Sequence, residues 1–152
     1  MTVLLLMISV AIPNYVGMMR DVRASQAVAD LQAVRAAAYL YYGDHQTWPP
    51  EEQAGVVPDA LRSYLSKNIA FVNPAYQIDW ENWIIADEPH PKSKEKVKLR
   101  SKYPETGVMV GISIRTDDAR LIKAARSLLV STRTWTASDR QTTIVIAGED
   151  GF

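Results

Sequence analysis

Hydrophobic and polar positions divide this chain into two unequal parts. From the N-terminus to Met19 no charged residue occurs, and the run is dense in leucine, isoleucine, valine and methionine; Arg20 is the first charge. Beyond it the same helical periodicity continues in amphipathic form to Tyr42, with alanine recurring between Ala24 and Ala38, so residues 1–43 are expected to form one helical rod. On a wheel of 100° per residue, Ala24, Ala27, Val28, Leu31, Val34, Ala38 and Tyr42 share one side. Val22, Ala29, Ala33, Ala36 and Leu40 lie opposite. Asp21 and Gln32 mark one polar flank, and Arg23, Gln26 and Asp30 the other. The larger residues suit a domain core, while the small ones allow close approach of another helix. A helix with two apolar sides and narrow polar flanks points to assembly; a plainer reading is that alanine only supports helicity.

Gly43 is the expected C-terminal cap, and Trp48-Pro49-Pro50 prevents further helix. Residues 58–65 read as a short helix that buries Leu61, Tyr64 and Leu65, and residues 69–72 as a short strand before the Asn73-Pro74 turn. Alternation in residues 76–80 predicts a strand, resumed over residues 82–85 after an irregularity. Residues 87–106 are lysine-rich and proline-interrupted, an expected exposed excursion. Residues 107–115 give the clearest strand signal, with Val108, Val110, Ile112 and Ile114 on one face. Thr116 is expected to cap a helix that starts at Asp117 and Asp118 and runs to Leu129, followed by a last strand over residues 144–147. The order predicts an α+β fold: a long N-terminal helix packed on a mainly antiparallel sheet, with short additional helices. Residues 1–43 form the apolar and amphipathic helix and residues 44–152 the globular head.

Seventeen basic and seventeen acidic residues cancel, so the whole chain carries no net pull toward nucleic acid, and no nucleic-acid partner is expected. Cysteine is absent and histidine is limited to His45 and His90, which excludes disulfides, thiolate chemistry and a multi-histidine metal centre. No catalytic constellation emerges: Asp44-His45 lies in a turn with no nucleophile placed beside it, so no enzyme is expected. No cofactor is expected either. Asp117, Asp118, Asp139, Glu149 and Asp150 are the candidate calcium ligands, but their spacing falls short of the roughly six to eight oxygens a calcium ion takes. Tyr76, Trp80 and Trp83 read either as core or as a sugar-stacking strip. Trp135 has no interpretable context.

The segment Ala11-Ile12-Pro13-Asn14-Tyr15, the alanine-rich helix of residues 20–42, and the exit Tyr41-Tyr42-Gly43-Asp44-His45-Gln46-Thr47-Trp48-Pro49 together resemble the type IV pilin-like superfamily. Within it they look most like a major pseudopilin of type II secretion or a related prepilin-type subunit. The resemblance covers about the first third of the chain. It implies a filament subunit in a pilus or secretion pseudopilus, held in the inner membrane before assembly, with its head periplasmic or on an extracellular filament. Its implied partners are copies of itself, related pilin-like subunits, the assembly machinery and a prepilin peptidase that cleaves and N-methylates the precursor. The membrane and assembly helix would then use Leu4, Leu5, Leu6, Ile8, Ile12, Pro13 and Tyr15, and further along Val22, Ala29, Ala33, Ala36 and Leu40.

The chain departs from the family in two respects. No basic leader precedes the apolar run, and the early glutamate of the family does not appear: its position falls before Met1 when the two are aligned on Pro13, and is held by Leu5 when they are aligned from the start. Residues 3–12 span about 15 Å as a helix, half a bilayer core, so a truncated N-terminus is expected. Pro13 interrupts helical hydrogen bonding and is better tolerated among neighbouring helices in a membrane than in a soluble helix. The competing reading is a monomeric, membrane-tethered periplasmic module that binds glycan or DNA through the aromatic strip or the basic excursion.

Overall fold

A computed structural model describes residues 2–84, 108–130 and 134–147; of residues 2–14 it describes the helical backbone alone. The elements run α1 (Thr2–His45), a 3-10 turn (Asp59–Leu61), β1 (Gln77–Ile84), β2 (Val108–Arg115), α2 (Ala119–Leu128), β3 (Thr134–Ser138) and β4 (Gln141–Ala147). The four strands form one antiparallel sheet in the order β1-β2-β4-β3. This is an α+β architecture with a long N-terminal helix, as the sequence pattern predicts.

One face of the sheet meets both helices. Ile78 and Trp80 on β1, Val110, Ile112 and Ile114 on β2, and Ile144 on β4 are buried there with Leu31, Val34 and Ala38 of α1 and Leu121 and Ile122 of α2. Successive strand residues point to opposite faces, so these alternate positions form a continuous apolar layer. Alanine on α1 lets α2 approach closely, and α1 packs on α2 more than on any other element. The side of α1 below this layer is therefore part of the head's own core.

The opposite face of the sheet is polar but also buried. Ser113 Oγ donates to Glu81 Oε1 at 2.9 Å and lies 2.7 Å from Thr143 Oγ1. The Arg115 guanidinium sits 3.1 Å from Asp79 and 3.6 Å from Glu81. Gly111 is required where β2 shifts register against β4, because a Cβ there would lie 2.8 Å from the Ile144 carbonyl oxygen.

Several boundaries differ from the sequence expectation. Helix α1 passes through Gly43 and ends two residues later, where Gln46 takes the left-handed conformation at φ 55°. Its amide donates to the Tyr42 carbonyl at 2.8 Å, and its side chain donates to Gly43 O at 3.0 Å, so a glutamine supplies the C-terminal closure that a glycine was expected to make. Residues 58–65 form a 3-10 turn and further turns instead of a helix; Leu61 is buried and Tyr64 and Leu65 half-buried. The expected strand at residues 69–72 reduces to a single bridge between Val72 and Gln77 across the Asn73-Pro74 turn. β1 is continuous where an irregularity was expected. The excursion of residues 87–106 lies outside the described residues.

The cap of α2 is also displaced. Asp118, two residues past Thr116, accepts from the Arg120 and Leu121 amides. Thr116 instead joins the turn to the helix: its hydroxyl donates to Ala75 O at 2.7 Å and accepts from the Asp118 amide at 3.1 Å. Burial opposes ionisation of Asp118, but the amides and the Arg20 guanidinium at 3.3 Å outweigh it and hold the carboxyl below its ordinary range. Asp118→Ala is expected to cost about 1 kcal/mol, the usual value of a capping side chain. Asp118→Asn should keep the cap. Because the folded carboxyl is the stronger acid, its charge-dependent contribution is present at neutral pH and fades as pH falls below about 4. Urea titrations at neutral and acid pH should therefore show the gap between wild type and Asp118→Ala narrowing in acid; an unchanged gap contradicts this account.

Candidate assembly surface

The sequence periodicity predicts two apolar sides for α1, and the head covers one of them. Ala24, Ala27, Leu31, Val34 and Ala38 are buried, while Val28 is half-buried. The centre of the buried side is turned toward the expected polar flank, so that Asp30 is buried as well. Its carboxylate accepts from Gln26 Nε2 at 2.8 Å and from the Tyr76 hydroxyl, which ties α1 to the turn that starts β1.

The opposite side faces outward. Val22 is 61% exposed and Leu40 58%; Ala29 and Ala36 are exposed, and Ala33 is half-buried. Large residues therefore stand at both ends of this strip, with alanines between them. Tyr15 at 64% and Met18 at 68% extend it toward the N-terminus, and Val16 and Met19 are exposed beside them. Met18 belongs to the same outward side but was missed, although carrying the wheel beyond residues 22–40 would have included it. Leu4, Leu5, Leu6, Ile8, Ile12 and Pro13 lie on the helical backbone of α1, and their side chains are outside the described residues. No helix among the described residues is long and apolar enough to cross a membrane.

The upper end of α1 is clamped to the head by aromatics. Trp48 stacks on Tyr42 with ring centroids 4.5 Å apart and meets Tyr39 edge-on at 5.7 Å. Arg35 lies over the Tyr39 ring. His45 packs on Tyr41, and the Tyr64 hydroxyl donates to Asp44 at 2.8 Å. The hydrogen bond to Asp44, followed by burial, raises the Tyr64 pKa above its ordinary value. The contacts of Trp48 and Tyr64 join the upper end of α1 to the head and set the direction its outward strip faces.

The other sequence candidates are placed as follows. Trp80 and Tyr76 are buried in the core and cannot stack a ligand, while the Trp83 side chain lies outside the described residues. Asp117 lies 3.8 Å from Arg140, Asp118 caps α2, and Asp139 is exposed in the β3–β4 turn. Glu149, Asp150 and His90 fall outside the described residues. Among the described residues no group of three or more acidic or histidine side chains is placed to hold a metal ion. None of the family models, curated proteins or solved structures compared with the chain matches it.

Proposed function

We propose that the chain is a structural subunit of a type IV pilus-like or type II secretion pseudopilus filament, assembled through α1. The observation that carries this reading is the outward strip of α1, a second apolar side exposed at Tyr15, Val22, Ala29, Ala36 and Leu40 that the described residues of the head leave largely uncovered. Covering that strip with equivalent helices removes apolar surface from water, and the alanines admit a neighbouring helix at short range. Where the strip of one subunit packs on an unlike surface of the next and the rotation between them does not close, the contact repeats into an open filament. Before assembly, the apolar N-terminal part of α1 would sit in the inner membrane with the head on the periplasmic side. The resemblance of residues 11–15 and 41–49 to pilin-like subunits supports the same reading. Burial of Trp80 and Tyr76 leaves the alternative glycan module without two of its three aromatics.

Ala36→Trp and Val22→Glu test the proposal. Both positions are exposed, so each substitution should change head stability by no more than about 0.5 kcal/mol. Each should nevertheless abolish sedimentable filaments when the subunit is expressed with its assembly machinery. Filaments of normal yield from both variants would overturn the reading.

A further inference from the structure

We propose that the base of the head, where α1 emerges, binds an anionic phospholipid, with its phosphate in an arginine-lined cleft and an acyl chain along α1. The cleft, about 620 Å³, opens between residues 72–77, the start of α2 and residues 138–141. Arg23, Arg115 and Arg140 line it, with amide groups from Asn73 and Gln77. A second hollow of about 330 Å³ adjoins it, bounded by Tyr15, Val16, Met19 and Arg20. Arg23 and Asp118 line both, so a polar space with three arginines and two aspartates continues into a hollow walled on one side by Tyr15, Val16 and Met19. A ligand that fits both parts has an anionic head and an apolar tail.

Of the two acidic residues that line the cleft, Asp118 is engaged and the exposed Asp117 makes only a long contact. Asp118 accepts from Arg20 and from two α2 amides, and Asp117 faces Arg140 at 3.8 Å. Arg115 is directed toward Asp79 and Glu81. Arg23 is exposed and has no ion pair among the described residues, and Arg140 is exposed with only that one long contact. These two guanidiniums are the groups that would bind phosphate, which arginine recognises through paired N–H donors. The inference rests on the filament reading only for the source of lipid, the bilayer that would hold α1.

Flotation of the full chain with phosphatidylcholine vesicles, with and without phosphatidylglycerol, tests it. The apolar end of α1 gives both vesicles a common background, so the informative quantity is the preference for the anionic one. Each arginine near an anionic surface contributes about fivefold, so Arg23→Gln/Arg140→Gln should reduce the preference roughly twenty-five-fold. Short-chain phosphatidylglycerol below its micelle concentration should bind more tightly than inorganic phosphate, and Tyr15→Ser/Met19→Ser should weaken the lipid alone. Equal affinity for lipid and inorganic phosphate would reduce the site to an anion cleft and overturn the proposal. So would an anionic preference unchanged in the arginine variant, or loss of filaments in that variant with the preference intact, which would make the cleft a contact between copies. Ala36→Trp lies far from both hollows and should keep the preference while losing filaments. Absence of the preference in the native chain therefore removes the lipid site alone, and normal filaments from both Ala36→Trp and Val22→Glu remove the filament reading alone.

Discussion

Trp80→Ala is expected to cost about 3–5 kcal/mol, a large part of the roughly 5–15 kcal/mol that holds a domain of this size together. Trp80 is among the largest fully buried side chains, and it lies in the layer between the sheet and α1. Truncation leaves a cavity that Ile78, Ile112 and Leu31 cannot fill, since their own positions are fixed by strand register and helix packing. It also removes a specific link. The Trp80 indole N–H donates to the Pro49 carbonyl at 3.0 Å, and Asn82 Nδ2 donates to the same oxygen at 2.6 Å, which fastens the chain leaving α1 to the centre of β1. Because Asn82 still satisfies the carbonyl, most of the loss comes from packing. Trp80→Phe should accordingly recover more than half of it. Urea denaturation of the full chain, followed by far-UV circular dichroism, measures both variants. A loss below about 1.5 kcal/mol for Trp80→Ala would show that the layer relaxes freely and that β1 is not its centre.

The elements that were legible in the sequence carry their apolar residues at a single period. Residues 24–38 repeat at helical spacing and residues 108–114 at spacing two, and both became the expected elements, with Ala24, Ala27, Leu31, Val34 and Ala38 buried on one and Val110, Ile112 and Ile114 on the other. β3 escaped notice because Thr134–Ser138 holds no aliphatic alternation; it is an edge strand specified by pairing with β4. β4 starts three residues before its apolar run because Gln141, Thr142 and Thr143 are buried through side-chain partners and ladder pairing that no local pattern announces. Gly43 misled for a related reason: the aromatic clamp around Tyr41, Tyr42 and Trp48 carries the helix past it, and Gln46 caps with its own amide. For the candidate surface, the wheel identified both sides of α1. It could not reveal that the buried side is turned far enough to enclose Asp30, since that depends on Tyr76, forty-six residues away.

Asp30 and Tyr76 should therefore show strong coupling. Tyr76→Phe is expected to cost about 1.5–3 kcal/mol near pH 7, because it leaves a buried carboxylate with Gln26 as its one side-chain donor among the described residues. Asp30→Ala should cost a similar amount by stranding the tyrosine hydroxyl, and the double variant should lose less than the sum of the two. Alkaline pH gives an independent measure. Burial, then the hydrogen bond to Asp30, raises the Tyr76 pKa well above its ordinary value near 10. Between the two values the unfolded chain has released this proton and the folded chain has not. The folded state then binds more protons, so raising the pH favours unfolding, by at most about 1.4 kcal/mol per pH unit from this group. Phenylalanine has no such proton. The stability gap between wild type and Tyr76→Phe should thus hold constant up to about pH 10 and shrink above it. A gap that stays constant into strong alkali would mean that Tyr76 ionises alike in the folded and unfolded chains. The contact would then not be the buried, charge-assisted tie that fixes the rotation of α1 and, with it, the direction in which Val22, Ala36 and Leu40 face.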